Sequence, residues 1–241
     1  MATPRTARVI AIEVPETDTR IVDLACEAPL GFMGGQYIIV DSGLVLPNGK
    51  AVKRAYSILS PDPEQQRFQL AVKRIPDGPG SGFMHGIGIG NELRFSGPWG
   101  QFFSRDSVSG PTLVLATDTG ITAALGLVRG ARFEVLIRES IVIWLRNAPG
   151  YFLPDGVVRD RIPQACADFR IATIPPIGDP ERVACARGCL REVLDRVPLA
   201  QAFACGDGAV NYALLDDLVA AGIPATRDHV ESFFNMPKKS L

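Results

Sequence analysis

Several short stretches hold side chains suited to gripping a flat, phosphate-bearing ligand. Arg54-Ala55-Tyr56-Ser57 offers a guanidinium for charge-assisted hydrogen bonds to a pyrophosphate. It also offers an aromatic ring to stack on a planar heterocycle and a hydroxyl to donate toward a ring nitrogen. Gly78-Pro79-Gly80-Ser81-Gly82-Phe83-Met84-His85 sets glycines ahead of a short helix, where free backbone N–H groups and the helix dipole favour an anion. Gly97-Pro98-Trp99-Gly100-Gln101-Phe102 has the composition of a sheet corner. Taken singly, these are also what a half-exposed strand, a flexible connection and a turn look like; their joint occurrence carries the chemistry.

The elements that must position them change character along the chain. Residues 8–14, 19–26, 36–41, 54–59, 68–74 and 92–96 are β-branched-rich runs separated by Pro, Gly and Asn turn residues. Short strands at this spacing predict an antiparallel β-barrel, with one short helix over 82–88. The texture changes at residues 107–111. Residues 112–116 form a continuous apolar run, as in a parallel strand buried on both faces, and lead into an Ala- and Leu-rich helix over 121–129. Further strands are expected over 133–138, 169–174 and 202–205. Helices are expected over 183–197 and 210–221, the latter ended by Gly222, and an extended or mixed tail over 226–234. This alternation predicts a doubly wound parallel α/β sheet, and hence two domains, 1–108 and 109–241. Residues 141–145 read equally as strand or helix, and 151–154 either cover a ligand or only pack.

Composition excludes several classes. With 46% hydrophobic and 21% charged residues the chain is globular, and a net charge of -1 gives no global attraction to nucleic acid. No apolar run is long enough for membrane insertion and no signal-peptide core is present, so a cytoplasmic protein is expected. Five scattered cysteines do not form a disulfide framework, and Cys26, Cys166, Cys185 and Cys189 read as buried thiols. The two histidines, His85 and His229, lack the companions a metal site needs and read as structural.

In their order, these motifs resemble the ferredoxin–NADP reductase superfamily. The matching pieces are Gly35-Gln36-Tyr37, Arg54 to Ser57, Val72-Lys73, Gly78 to Ser81, Gly90-Asn91-Glu92-Leu93 and Gly97 to Phe102. The resemblance implies that Arg54, Ser81 and the backbone at Gly80 and Gly82 bind the pyrophosphate of FAD. It implies that Tyr56 packs on the flavin beside Ala55, that Ser57 lies near its reactive nitrogen, and that Val72 and Lys73 line the adenosine side. In the second half the family carries a glycine-rich turn opening a helix, where a nicotinamide nucleotide sits. Thr117, Thr119, Gly120, Ile121 and Thr122 occupy that turn here. Two positions depart from the pattern: Asp118 replaces a glycine and Ala123 a proline. An Asp beside a pyrophosphate is repulsive unless its carboxylate points away. Arg138 matches an Arg at a strand end, Cys205-Gly206-Asp207 a Cys-Gly pair beside the nicotinamide, and Glu231 with Phe233 a C-terminal acid and aromatic at the flavin. By resemblance Ser57, Cys205 and Glu231 serve hydride transfer from NADH or NADPH to FAD. Electrons then leave to a separate acceptor such as a ferredoxin, flavodoxin or oxygenase component. The departure at Asp118 keeps open an electron-transfer subunit with a degenerate nucleotide site, and a non-catalytic relative is the remaining alternative.

Overall fold

The computed structural model describes residues 4–102, 108–224 and 229–233. Among these, the first sheet comprises β1 (Arg5–Glu16), β2 (Thr19–Ala25), β3 (Tyr37–Val45), β4 (Ala51–Ser57), β5 (Arg67–Lys73) and β6 (Glu92–Trp99). Its order is β4-β3-β6-β1-β2-β5 with every pairing antiparallel. A bridge between Ile58 and Leu70 brings the two outer strands together, so the sheet closes toward a barrel. Alternation fills its interior: Ile38 and Val40, Val22 and Leu24, Leu70 and Val72, Leu93 and Phe95 all point inward, with Phe68 and Phe95 edge to face at 5.8 Å. Helix α1 (Pro79–Gly86) begins three residues earlier than the expected 82–88, with Pro79 in its first turn, where a missing N–H costs nothing.

The second sheet is parallel, in the order β11-β10-β7-β8-β9. Its strands are β7 (Thr112–Thr117), β8 (Ser140–Arg146), β9 (Asp168–Thr173), β10 (Gln201–Asp207) and β11 (Val230–Phe233). Helices α2 (Ile121–Val128), α3 (Asp155–Arg159), α4 (Arg182–Leu194) and α5 (Gly208–Ala220) connect and cover them. Every residue of β7, β8 and β10 is buried, which explains their unbroken apolar runs. The tail expectation over 226–234 is met in part by β11; residues 226–228 and 234 lie outside the described residues, as does residue 107.

One strand is corrected. Residues 133–138 are not a strand; two 3-10 turns, Ala131–Phe133 and Ile137–Glu139, wrap the start of β8 instead. The second parallel strand is Ser140–Arg146, in the stretch whose pattern was ambiguous. Phe133, Leu136 and Ile137 are buried because they cap the core under α2, so their apolar spacing mimicked a strand. Cys185 is also corrected: it is exposed, while Cys166 and Cys189 are half-buried and Cys26 and Cys205 are buried.

The two sheets meet along α2, whose residues are all buried. A helix apolar on every side needs cover on every side: β7 and β10 lie against one face and the barrel against the other. Glycines allow the approach. A Cβ on Gly126 would strike the Ile58 carbonyl, and one on Gly34 would strike the Gly126 carbonyl. Asp62, 8% exposed, fastens the joint by accepting from the Gly34 and Ala131 amides, both at 2.8 Å. No helix among the described residues is long and apolar enough to cross a membrane.

Candidate functional site

A cleft of about 950 Å³ opens between the sheets. Its barrel wall holds Tyr37, Arg54, Ala55, Tyr56, Ser57, Val72, Lys73, Gly80 and Ser81; its other wall holds Thr119, Thr122, Glu231, Ser232 and Phe233. Residues far apart in the chain converge because β4 ends where β5 and α1 turn, and because α2 and β11 both meet the carboxyl edge of the parallel sheet.

On the barrel wall, Arg54 lies on the exposed side of β4 with its stem against Gly80; a Cβ there would sit 2.5 Å from Arg54 Cγ. Glycine lets the aliphatic stem of Arg54 lie against the first turn of α1, so an arginine and a helix N-terminus share one patch. Arg54 Nη1 donates to the Lys53 carbonyl at 2.7 Å. The Ser81 hydroxyl donates to the Gly78 carbonyl at 3.1 Å and accepts from the Ile75 amide at 3.0 Å, fixing the turn into α1. Gly82 is exposed on the helix and is not part of the cleft lining. Tyr56 packs against the barrel core, and burial pushes its phenol pKa up to about 12, keeping it neutral. Ser57 is buried at the strand end, opposite Tyr37. Burial also raises the Tyr37 phenol, with the Glu231 carboxylate adding to it. Gln36 braces this corner, donating from Nε2 to the Gly100 carbonyl at 3.0 Å and accepting from the Met33 amide at 2.9 Å.

Lys73 is already engaged. Its ammonium pairs with Asp18 and lies 4.5 Å above the Tyr151 ring, so its charge is spent on a link between the sheets. His85 on α1 contacts the Val72 carbonyl at 3.1 Å, and burial lowers its pKa.

On the opposite wall, the turn after β7 packs onto the end of β10. A Cβ on Gly120 would sit 2.5 Å from the Cys205 carbonyl, and one on Gly206 would strike Thr117. Thr117 Oγ1 accepts from the Asp207 amide at 2.6 Å. Asp118 takes a left-handed φ of 49°, a conformation Asp tolerates better than most residues. Its carboxylate points away from the cleft. It is 1% exposed, pairs with Arg182 and accepts from the Asn147 amide at 3.1 Å. Arg182 also reaches Asp207 at 2.8 Å. Burial raises the Asp118 pKa, with Arg182 pulling against that rise. Thr119 and Thr122 face the cleft, the Thr122 hydroxyl donating to the Thr119 carbonyl at 2.9 Å, and Ile121 is core.

Cys205 is fully buried and absent from the cleft lining. Its thiol donates to the Gly120 carbonyl at 3.2 Å, and burial raises its pKa, so it stays a thiol. Glu231 lies beside it on β11 and does line the cleft. Arg138 stands in the 3-10 turn before β8, at the amino edge of the sheet, and is corrected: it cannot reach a ligand at the carboxyl edge. The arginine that ends β8 is Arg146, paired with Asp155 and 5.3 Å from the Trp144 ring. The misplaced strand hid it; the β-branched run 141–143 was the available signal. Ser232, unremarked in the motif, carries a buried hydroxyl with no partner at the cleft wall.

The residues fit a dinucleotide on the barrel wall: the Arg54–Gly80 cradle suits a pyrophosphate, and Tyr56 with Ser57 suits a flat ring. They fit a second planar ligand opposite, where the orphaned Ser232 hydroxyl awaits a polar group.

Comparisons with known proteins agree. The oxidoreductase FAD-binding domain family matches residues 6–103. A ferredoxin–NADP reductase B of Sorangium cellulosum is 34% identical over 169 residues, covering 61% of this chain and 67% of that protein. The glycine betaine monooxygenase reductase subunit of Chromohalobacter salexigens is 27% identical over 224 residues, 86% of this chain and 57% of that protein. Among solved structures, the ferredoxin reductase of carbazole 1,9a-dioxygenase superposes with a TM-score of 0.71 at 20% identity, over 95% of this chain and 68% of that one. The chain thus spans about two thirds or less of these proteins' lengths.

Proposed function

The chain belongs to the ferredoxin–NADP reductase superfamily, and we propose that it acts as an NAD(P)H-dependent flavin oxidoreductase handing electrons to a separate acceptor protein. The observation that carries the reading is the cleft whose walls come from the FAD-type barrel and from the carboxyl edge of the parallel sheet. Bound FAD supplies the redox chemistry, accepting hydride and releasing electrons. The residues bind and orient. Arg54 and the amides at the start of α1 hold the flavin's pyrophosphate, Tyr56 covers one face of its ring, and Ser57 hydrogen-bonds its edge. Thr119, Thr122 and the start of α2 receive the nicotinamide nucleotide, and the Ser232 hydroxyl orients it. Glu231 and Tyr37 close the cleft beside them. Cys205 acts by packing the β7 turn onto β10 and not by proton transfer, since its thiol is enclosed. We assign the flavin to residues 1–108 and the nucleotide to 109–241.

Relatives are named a ferredoxin–NADP reductase B and a glycine betaine monooxygenase reductase subunit, which supports a ferredoxin or an oxygenase component as acceptor. The test is a visible spectrum of the purified protein under anaerobic titration with reduced nucleotide. A yellow protein that bleaches supports the reading; a colourless protein, or one that stays yellow, rejects it.

A further inference from the structure

Resting on that reading, the direction in which the nucleotide lies follows from the sheet order. Its nicotinamide end must enter the cleft, whose sheet-side wall is made by Thr119, Thr122 and β11. Its pyrophosphate then crosses the start of α2 after β7, and the adenosine end extends over the carboxyl ends of β8 and β9, the only remaining side in the order β11-β10-β7-β8-β9. A 2′-phosphate on that adenosine needs an uncommitted cation, whereas a 2′-hydroxyl is served by a carboxylate that accepts its hydrogen bond.

The two guanidinium groups at these strand ends are both spent. Arg146, ending β8, uses both terminal nitrogens on the two Asp155 oxygens. Arg182, following β9, is 2% exposed and divided among Asp118, Asp207 and the Pro175 carbonyl. The charges exposed in the loop between β9 and α4 are acidic, Asp179 and Glu181. Two amides at the entry to α4 are committed within the loop. The Glu181 amide donates to the Asp179 carboxylate at 2.8 Å and the Arg182 amide to the Asp179 carbonyl at 3.2 Å.

We propose that this end of the site selects the 2′-hydroxyl, making NADH the preferred donor, and that sequestration of Arg182 by Asp118 and Asp207 determines that selectivity. A phosphate here would meet two carboxylates with no free guanidinium from either strand end, and the inward turn of Arg182 creates that condition.

The test is calorimetric titration of the FAD-loaded protein with ADP-ribose and with 2′-phospho-ADP-ribose, neither of which transfers hydride. ADP-ribose should bind at least about tenfold more tightly, a difference that shrinks as salt is added. Asp179→Arg with Glu181→Gln should narrow the gap by improving the phosphorylated ligand. Equal affinities, tighter binding of the phosphorylated form, or no binding of either would overturn the proposal. Anaerobic reduction separates the two claims. If NADPH bleaches the flavin as readily as NADH, the selectivity fails and the reductase reading stands. If neither nucleotide bleaches it, the reductase reading itself fails.

Discussion

Arg54 and Arg182 both stand beside a helix start at the edge of a sheet, and they are deployed in opposite ways. Arg54 is exposed, its stem laid on Gly80 and its guanidinium donating to the neighbouring Lys53 carbonyl. Arg182 is enclosed between two carboxylates and does not reach solvent. The first leaves its charge on the cleft wall. The second has been drawn into the protein, where it neutralises an Asp in a turn that usually carries glycine. The Asp118 carboxylate is therefore part of the packing beneath the turn after β7 and not of the cleft surface. The two walls of the cleft also differ in kind: the barrel wall presents the Arg54 cation, and the opposite wall the hydroxyls of Thr119, Thr122 and Ser232.

The largest break in this comparison comes from Arg182→Leu. It leaves Asp118 and Asp207 buried without their cation and should cost about 3–5 kcal/mol of stability in denaturant unfolding. Adding Asp118→Asn and Asp207→Asn should recover much of that, because no unpaired charge then remains. A single variant as stable as the parent would contradict the buried triad. Next comes Arg54→Ala, at an exposed position of β4 on the cleft wall. It should weaken FAD retention by about 1.5–3 kcal/mol, read from the flavin-to-protein absorbance ratio after dialysis, with little change in unfolding. Undiminished flavin would remove Arg54 from the cradle.

How much of this was legible beforehand differs between the same two regions. The barrel wall was read nearly whole, since Arg54-x-Tyr56-Ser57 and the glycines before α1 are local motifs whose neighbours in sequence are neighbours in space. On the opposite wall the cleft-lining Thr119 and Thr122 belong to one turn motif. The pairing of Asp118 with Arg182 spans sixty-four positions and two strands, and no spacing rule exposes it. Arg138 failed for a related reason: an apolar cluster in 3-10 turns imitated a strand, shifting the arginine from Arg146 to the wrong edge of the sheet.

Smaller effects sharpen the contrast. Asp118→Gly should leave NAD⁺ affinity within about twofold of the parent, because the carboxylate faces Arg182 and not the phosphates. Marked tightening in a calorimetric titration would show that it does face them. The smallest effect concerns His85 in the last turn of α1. Burial disfavours its charged form, so its folded pKa lies below the ordinary 6.5. The unfolded chain then binds more protons between that lowered value and 6.5, and stability declines slightly as pH falls through this window. An imidazole titration by NMR with a midpoint at or above 6.5 would contradict the assignment.

The central claim is that one cleft brings flavin and reduced nucleotide together, and anaerobic titration of the FAD-loaded protein with NADH, followed in the visible flavin band, tests it most directly. The account predicts bleaching complete at about one equivalent of NADH per flavin, since hydride carries the two electrons that one flavin accepts. A flavin that stays oxidised under excess NADH and NADPH alike would contradict it.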